Sequence, residues 1–160
     1  MMTEPKKDIL VRAIARVFTP FIQIYALYVI MHGHHSPGGG FQGGVILAAC
    51  LVLMLITRGL ADTRKQLSEK MTSLLSSAGV MIYVGIGALC LALSGNFLDY
   101  HQLAPLLNVS PAQARSLGIL GVEIGVGIAV MAVMYSIFYN IATAGKDMTP
   151  YQKSIHDDGM

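Results

Sequence analysis

Charge is what this chain has least of. Only 12% of its 160 residues are Asp, Glu, Lys or Arg, about half the share found in an ordinary soluble domain. The few charges are clustered, so the intervening apolar stretches are long enough to span a bilayer. Strict apolar–polar alternation is missing and the runs are too long for membrane strands, which argues against a β-barrel. The two cysteines, Cys50 and Cys90, lie inside apolar runs and form no C-x-x-C pattern. They read as small apolar side chains and give no redox or metal signal. The first apolar run is too long for a signal peptide and no A-x-A-like site follows it, so no cleaved leader is expected. Repeats, low-complexity linkers and a separate soluble domain are all lacking, so residues 1–160 read as a single membrane domain. A basic patch with interleaved aromatics is also missing, and nucleic acid is not an expected partner. No nucleophile–base–orienter set is visible, so an enzyme is not expected either.

What is present is hydrophobic length. A bilayer core of about 30 Å needs roughly 20 apolar residues as helix. Four segments meet that requirement, at about 11–31, 41–60, 71–94 and 116–143. The predicted fold is therefore all-α, a polytopic protein of four transmembrane helices. Basic residues set the orientation. Lys6, Lys7, Arg12 and Arg16 flank the start of the first span, Arg58, Arg64, Lys65 and Lys70 follow the second, and Lys146 and Lys153 lie in the tail. An even number of spans puts all of these on one side and leaves only Arg115 on the other. Both termini are thus predicted on the cytoplasmic side, with the 32–44 and 95–115 loops facing outward.

Within the spans a few residues stand out. Thr19-Pro20 interrupts the first helix, which membrane helices tolerate when neighbours satisfy the freed carbonyl. Gln23 lies at membrane depth, either lining a polar path or bonding across a helix interface. Tyr25 and Tyr28 fit an interfacial aromatic belt. Gly40, Gly44 and Ala48 recur every four residues on the second helix, a small-residue stripe suited to close helix packing. Asp62 is a candidate cap for a short helix leading to the third span. On that span Ser73, Ser76 and Ser77, with Gly79, Gly85 and Gly87, read as packing. Ser110-Pro111 is read as the start of a short helix leading into the fourth span.

The fourth span holds the one carboxylate inside any span, Glu123. Ionised carboxylates are expensive in hydrocarbon and face a bundle interior or a wet cavity. Gly118, Gly121 and Gly125 share one face of this helix, and Glu123 and Gly127 lie on the nearly opposite one, at 100° per residue. The helix is therefore expected to be buried on two sides, with a second chain supplying one of them. Glu123 is placed in the outer third of the span, roughly 7.5 Å deep at 1.5 Å per residue, and reachable from the 32–44 loop. Two readings stay open: a proton or cation site, or a protonated carboxyl that holds a helix interface.

The loop itself is the most distinctive part of the chain. His32-Gly33-His34-His35-Ser36-Pro37-Gly38-Gly39-Gly40-Phe41-Gln42-Gly43-Gly44 separates two long apolar runs. A tight turn explains Pro37 and a couple of the glycines, but not the whole block. Glycine at such density points to backbone set against something else, an ion or a neighbouring subunit. The histidines have no nearby cysteine or carboxylate to complete a tetrahedral set, so no metal or cofactor is expected. A phosphate loop would need G-x-x-x-x-G-K-[ST], which is not there.

The block resembles the signature of the MnhB family, the B-type component of Mrp-type multisubunit Na+/H+ antiporters. The family pattern is close to H-G-x-x-x-P-G-G-G-F-Q-G-G, and residues 32–44 match it without a gap. The resemblance implies a non-catalytic subunit of a cation (Na+)/proton antiporter in a prokaryotic cytoplasmic membrane, contributing to assembly and to the sodium/proton path. Implied partners are large antiporter-like subunits and small membrane subunits, with Na+, H+ and the lipid bilayer. The same module occurs in redox-driven complexes of the membrane hydrogenase and sulfane-reductase type, which is the alternative. The loop residues carried over as subunit contacts are Gly33, Ser36, Pro37, Gly38, Gly39, Gly40, Phe41, Gln42, Gly43 and Gly44. Glu123, Gln23 and His34 are the ion-path candidates read from the chain itself.

Overall fold

A computed structural model describes residues 9–33, 38–59, 67–93 and 95–143. Four long helices dominate it: α1 (Ile9–Met31), α2 (Gly40–Arg58), α3 (Glu69–Ala92) and, after the short α4 (Leu103–Leu107), α5 (Pro111–Thr143). All four long helices are long and apolar enough to cross a membrane. In hydrocarbon every backbone N–H and C=O must find its partner within the protein, and a helix does this within the segment.

The central helix is α5. It runs between α2 and α3, touching each along much of its length, while α1 lies mainly against α2. Glycine pairs set the crossings. A Cβ on Gly44 would lie 2.7 Å from the Gly127 carbonyl oxygen, and one on Gly125 would lie 2.9 Å from that of Gly79. Gly40 meets Glu123 and Gly44 meets Gly127, so α2 and α5 run parallel; Gly79 meets Gly125 and Ile86 meets Gly121, so α3 runs antiparallel. The stripe of Gly40, Gly44 and Ala48 is buried and its partner is α5. The expected two-sided burial of the last helix is also present, but with a correction. Both sides are filled by this chain, by α2 on one and α3 on the other, so no second chain is needed to cover them.

The start of the last span also differs from expectation. Instead of a short helix followed by a span at 116, α5 is continuous from Pro111 and has 33 residues, about 50 Å at 1.5 Å per residue. The Ser110 hydroxyl accepts from the Gln113 N–H at 3.4 Å, and the Gln113 side chain accepts from the Ser110 N–H at 3.2 Å. This reciprocal cap starts the helix, and Pro111 sits at its first position, where no N–H is required. The first turns of α5 support a small outer layer. Cys90, Leu103, Ala104 and Ala114 form a buried cluster there with Tyr100 packed against it. Ser68 caps α3, its hydroxyl accepting from the Met71 N–H at 3.3 Å. Asp62 lies outside the described residues.

Side-chain bonds flank the proline in α1. Beside Pro20, the Thr19 hydroxyl donates to the Ala15 carbonyl at 2.6 Å, and the Cys50 thiol of α2 donates to the Thr19 carbonyl at 3.6 Å. Cys50 is thus a small apolar residue that also ties α2 to α1 where the helix ladder is weakest.

Candidate functional site

The glycine-rich turn and the membrane carboxylate meet. Gly33 ends α1, its N–H bonding to the Ile30 carbonyl at 3.4 Å. Gly39 is the N-cap of α2, with φ 94° and ψ −156°, a conformation that residues with a Cβ rarely adopt. A Cβ on Gly33 would collide with the Glu123 carboxyl group, and one on Gly39 would lie 2.7 Å from its Oε1. A Cβ on Gly40 would collide instead with the Glu123 backbone carbonyl. Three glycines on two helix ends therefore form a cradle one side chain wide, and Glu123 fills it. The Oε2 atom is shut off from solvent.

This placement has an electrostatic meaning. The first N–H groups of α2 have no carbonyl partner within the helix, and the helix dipole puts its positive end there. A carboxyl group seated against the N-cap residue is where an anion is best accommodated. Nearby, Tyr100 lies against Gly118 of α5. Burial pushes the Tyr100 phenol above its ordinary value of 10.0, and repulsion from neighbouring acidic groups, Glu123 among them, pushes it the same way.

The other loop residues divide by role. Gly43 admits Ile30 of α1, and Gly44 admits α5, so these two are packing positions. Gly38 is half-buried beside the cradle, and Phe41 and Gln42 are exposed on the outside of α2. The His32 ring stacks on Tyr28 with centroids 4.1 Å apart. His34, Ser36 and Pro37 lie outside the described residues. Gln23 is half-buried on α1, seven residues before the Ile30 that packs on Gly43 and Gly127. That separation is about 10 Å along the helix axis, so Gln23 is not part of the cradle. Sequence reasoning names both halves of the site and puts Glu123 within reach of the 32–44 loop, but does not say which glycines it meets, because nothing local links position 33 to position 123. It does not reach Tyr100, whose only sequence signal is an aromatic in a loop preceding a glycine-rich helix.

Comparison with known proteins follows the same residues. A family model described as "Domain related to MnhB subunit of Na+/H+ antiporter" matches residues 10–136, which includes the cradle and Glu123. The B-type subunit of the Na(+)/H(+) antiporter of Alkalihalophilus pseudofirmus is 28% identical over 130 residues, covering 78% of this chain and 90% of its own length. Its counterpart of the same name in Bacillus subtilis is 28% identical over 141 residues, covering 85% of this chain and 97% of its own length.

Proposed function

This chain belongs to the MnhB family, and from that membership we propose how it works: as the B-type, non-catalytic subunit of a multisubunit Na+/H+ antiporter. The observation that carries the reading is the family match over residues 10–136, which takes in the second and third spans and most of the first and fourth. The protein is a multi-pass membrane protein, and the membrane is the prokaryotic cytoplasmic membrane in which the named relatives' bacterial hosts would hold it. Its partners are large antiporter-like subunits and small membrane subunits. Exposed apolar side chains on α1 and α3, such as Phe21, Ile24, Leu74 and Met81, offer surfaces for them and for lipid. Both termini face the cytoplasm, as the basic residues dictate.

Within that complex Glu123 is the ion-handling residue of this subunit, and the Gly33–Gly39–Gly40 cradle holds it. What supports this is the burial of a carboxyl group against a helix N-terminus at the outer end of the bundle, where protons and cations arrive. Exposed Phe41 and Gln42 are the loop's contact with a neighbouring subunit. The redox-complex alternative has no observation in its favour, since both relatives are named as antiporter subunits.

The test is the native particle. The tagged chain, extracted from its host in mild detergent, is expected in a large assembly with antiporter-like subunits. That assembly should exchange Na+ for H+ in proteoliposomes, whereas the chain alone should not. Transport by the isolated chain, or redox subunits in the same particle, would sink the proposal.

A further inference from the structure

A second polar site lies at the other end of α5. Between the start of α3 and the end of α5 is a cavity of about 270 Å³ lined by Glu69, Thr72, Ser73, Ser76, Ser77 and Ser136, with Ala132, Val133 and Ile137 behind them. A smaller recess shares Glu69, Thr72 and Ser136 with it and is also lined by Tyr135. The Tyr135 side chain is only 2% exposed, and its hydroxyl has no hydrogen-bond partner among the described residues.

Three features make this a ligand site and not only a packing defect. First, the polar lining is chemically uniform. Among the described residues it consists of hydroxyl oxygens and one carboxylate, with no cationic side chain. Such a set suits a small hard cation that prefers oxygen ligands, and repels anions. Second, size and polarity match a wet site. A water occupies about 30 Å³ of liquid volume and needs two to four polar partners, so the space holds an ion with part of its hydration shell. Third, the buried Tyr135 hydroxyl of the adjoining recess is costly to leave without a partner if nothing occupies that space. The threonines on these helices satisfy themselves by folding back, as Thr72 does on the Ser68 carbonyl at 3.1 Å. Tyr135 does not.

The position is equally telling. Ser136 lies 13 residues beyond Glu123 on α5, about 20 Å along the axis. Glu69 stands in the first turn of α3, on the side where the basic residues cluster.

We propose that the cavity between α3 and α5 is a binding site for a partly hydrated monovalent cation on the cytoplasmic side, with Glu69, Ser73, Ser76 and Ser136 as its oxygen ligands and the Tyr135 hydroxyl in the adjoining recess. The choice of a monovalent cation rests on the antiporter reading given above; the oxygen-lined site itself does not. The site is distinct from the Glu123 cradle and lies at the opposite end of the same helix.

The experiment uses the intact complex in proteoliposomes. Ser76→Ala and Glu69→Gln are each expected to raise the Na+ concentration for half-maximal exchange roughly threefold to tenfold, with Glu69→Asp recovering part of the loss. Half-saturation that stays within about twofold of the parent in assembled complexes, on the same scale, would overturn the proposal. A second measurement reads the site without relying on exchange. In a Ser76→Cys complex, maleimide labelling is expected to slow when NaCl or LiCl replaces choline chloride at equal ionic strength. Cys50 and Cys90 of this chain are buried and add no background. Labelling indifferent to the cation would likewise overturn the site. Cation protection in a complex that shows no exchange would keep the site and remove the antiporter reading, so the two can fail separately.

Discussion

Single residues carry the most pointed consequences. A methyl group on Gly33 meets only the Glu123 carboxyl among its nearest atoms, whereas one on Gly40 meets the Glu123 backbone. A side chain can be removed and a backbone cannot. Gly33→Ala should therefore lower the thermal stability of the complex by about 1–3 kcal/mol, and the double variant Gly33→Ala/Glu123→Ala should recover much of it. Gly40→Ala should lose as much or more with no recovery in the corresponding double variant. A detergent melting series on the complex checks both. Glu123→Gln keeps the shape of the carboxyl and removes its charge. Assembly is expected to persist while exchange is lost or its pH profile moves. Unchanged exchange would leave Glu123 a purely structural group. Tyr100 supplies a pH dependence of known sign. Its phenol is raised above 10.0 in the fold, mainly by burial, so the folded state holds the proton more tightly than the unfolded chain. The stabilisation is complete below about pH 10 and is lost as pH rises through the higher folded value. Tyr100→Phe should flatten the decline in stability above that point, measured by melting temperature across roughly pH 8–12.

At the scale of the helix, sequence is informative where hydropathy alone decides and less so where capping does. The four spans follow from apolar length, and each is present as a helix. Hydropathy starts the last span five residues later than α5 begins, at 116 instead of Pro111, because Gln113 and Arg115 break the apolar run. The Ser110–Gln113 pairing that starts the helix is nevertheless visible as a capping pattern. Ser110→Ala is expected to cost roughly 1 kcal/mol and to fray the first turn, seen as faster hydrogen exchange at residues 112–114. The serines of α3 read as packing in the sequence, because a hydroxyl on an apolar helix usually bonds its own backbone. Their role is legible only once Ser136 and Tyr135 are brought opposite them. Gly79 and Gly125 show the converse. Small residues in two distant runs read as packing, and packing is what they do.

For the whole molecule, orientation and assembly are the quantities to measure. Ser68 and Asn108 are exposed and lie at opposite ends of the bundle. With both termini cytoplasmic, Ser68→Cys should react with an impermeant thiol reagent only from inside, and Asn108→Cys only from outside. The reverse pattern would invert the topology. The fold of the bundle is largely legible because a bilayer permits so few arrangements of four apolar helices. The meeting of Glu123 with Gly33 and Gly39 is not, since contacts between positions so far apart in the chain leave no trace in local pattern.

The central place of α5 bears on how the protein is made. The helix that α3 packs on, and that completes the burial of α2, is the last of the four to leave the ribosome. At about 5–20 residues per second, the earlier helices wait several seconds for it. During that interval α3 sits in the lipid with Gly79 and its hydroxyl face uncovered, a natural handle for insertion chaperones and membrane proteases. Chains broken off before Gly125 should thus be cleared quickly, making the final helix a checkpoint for quality control.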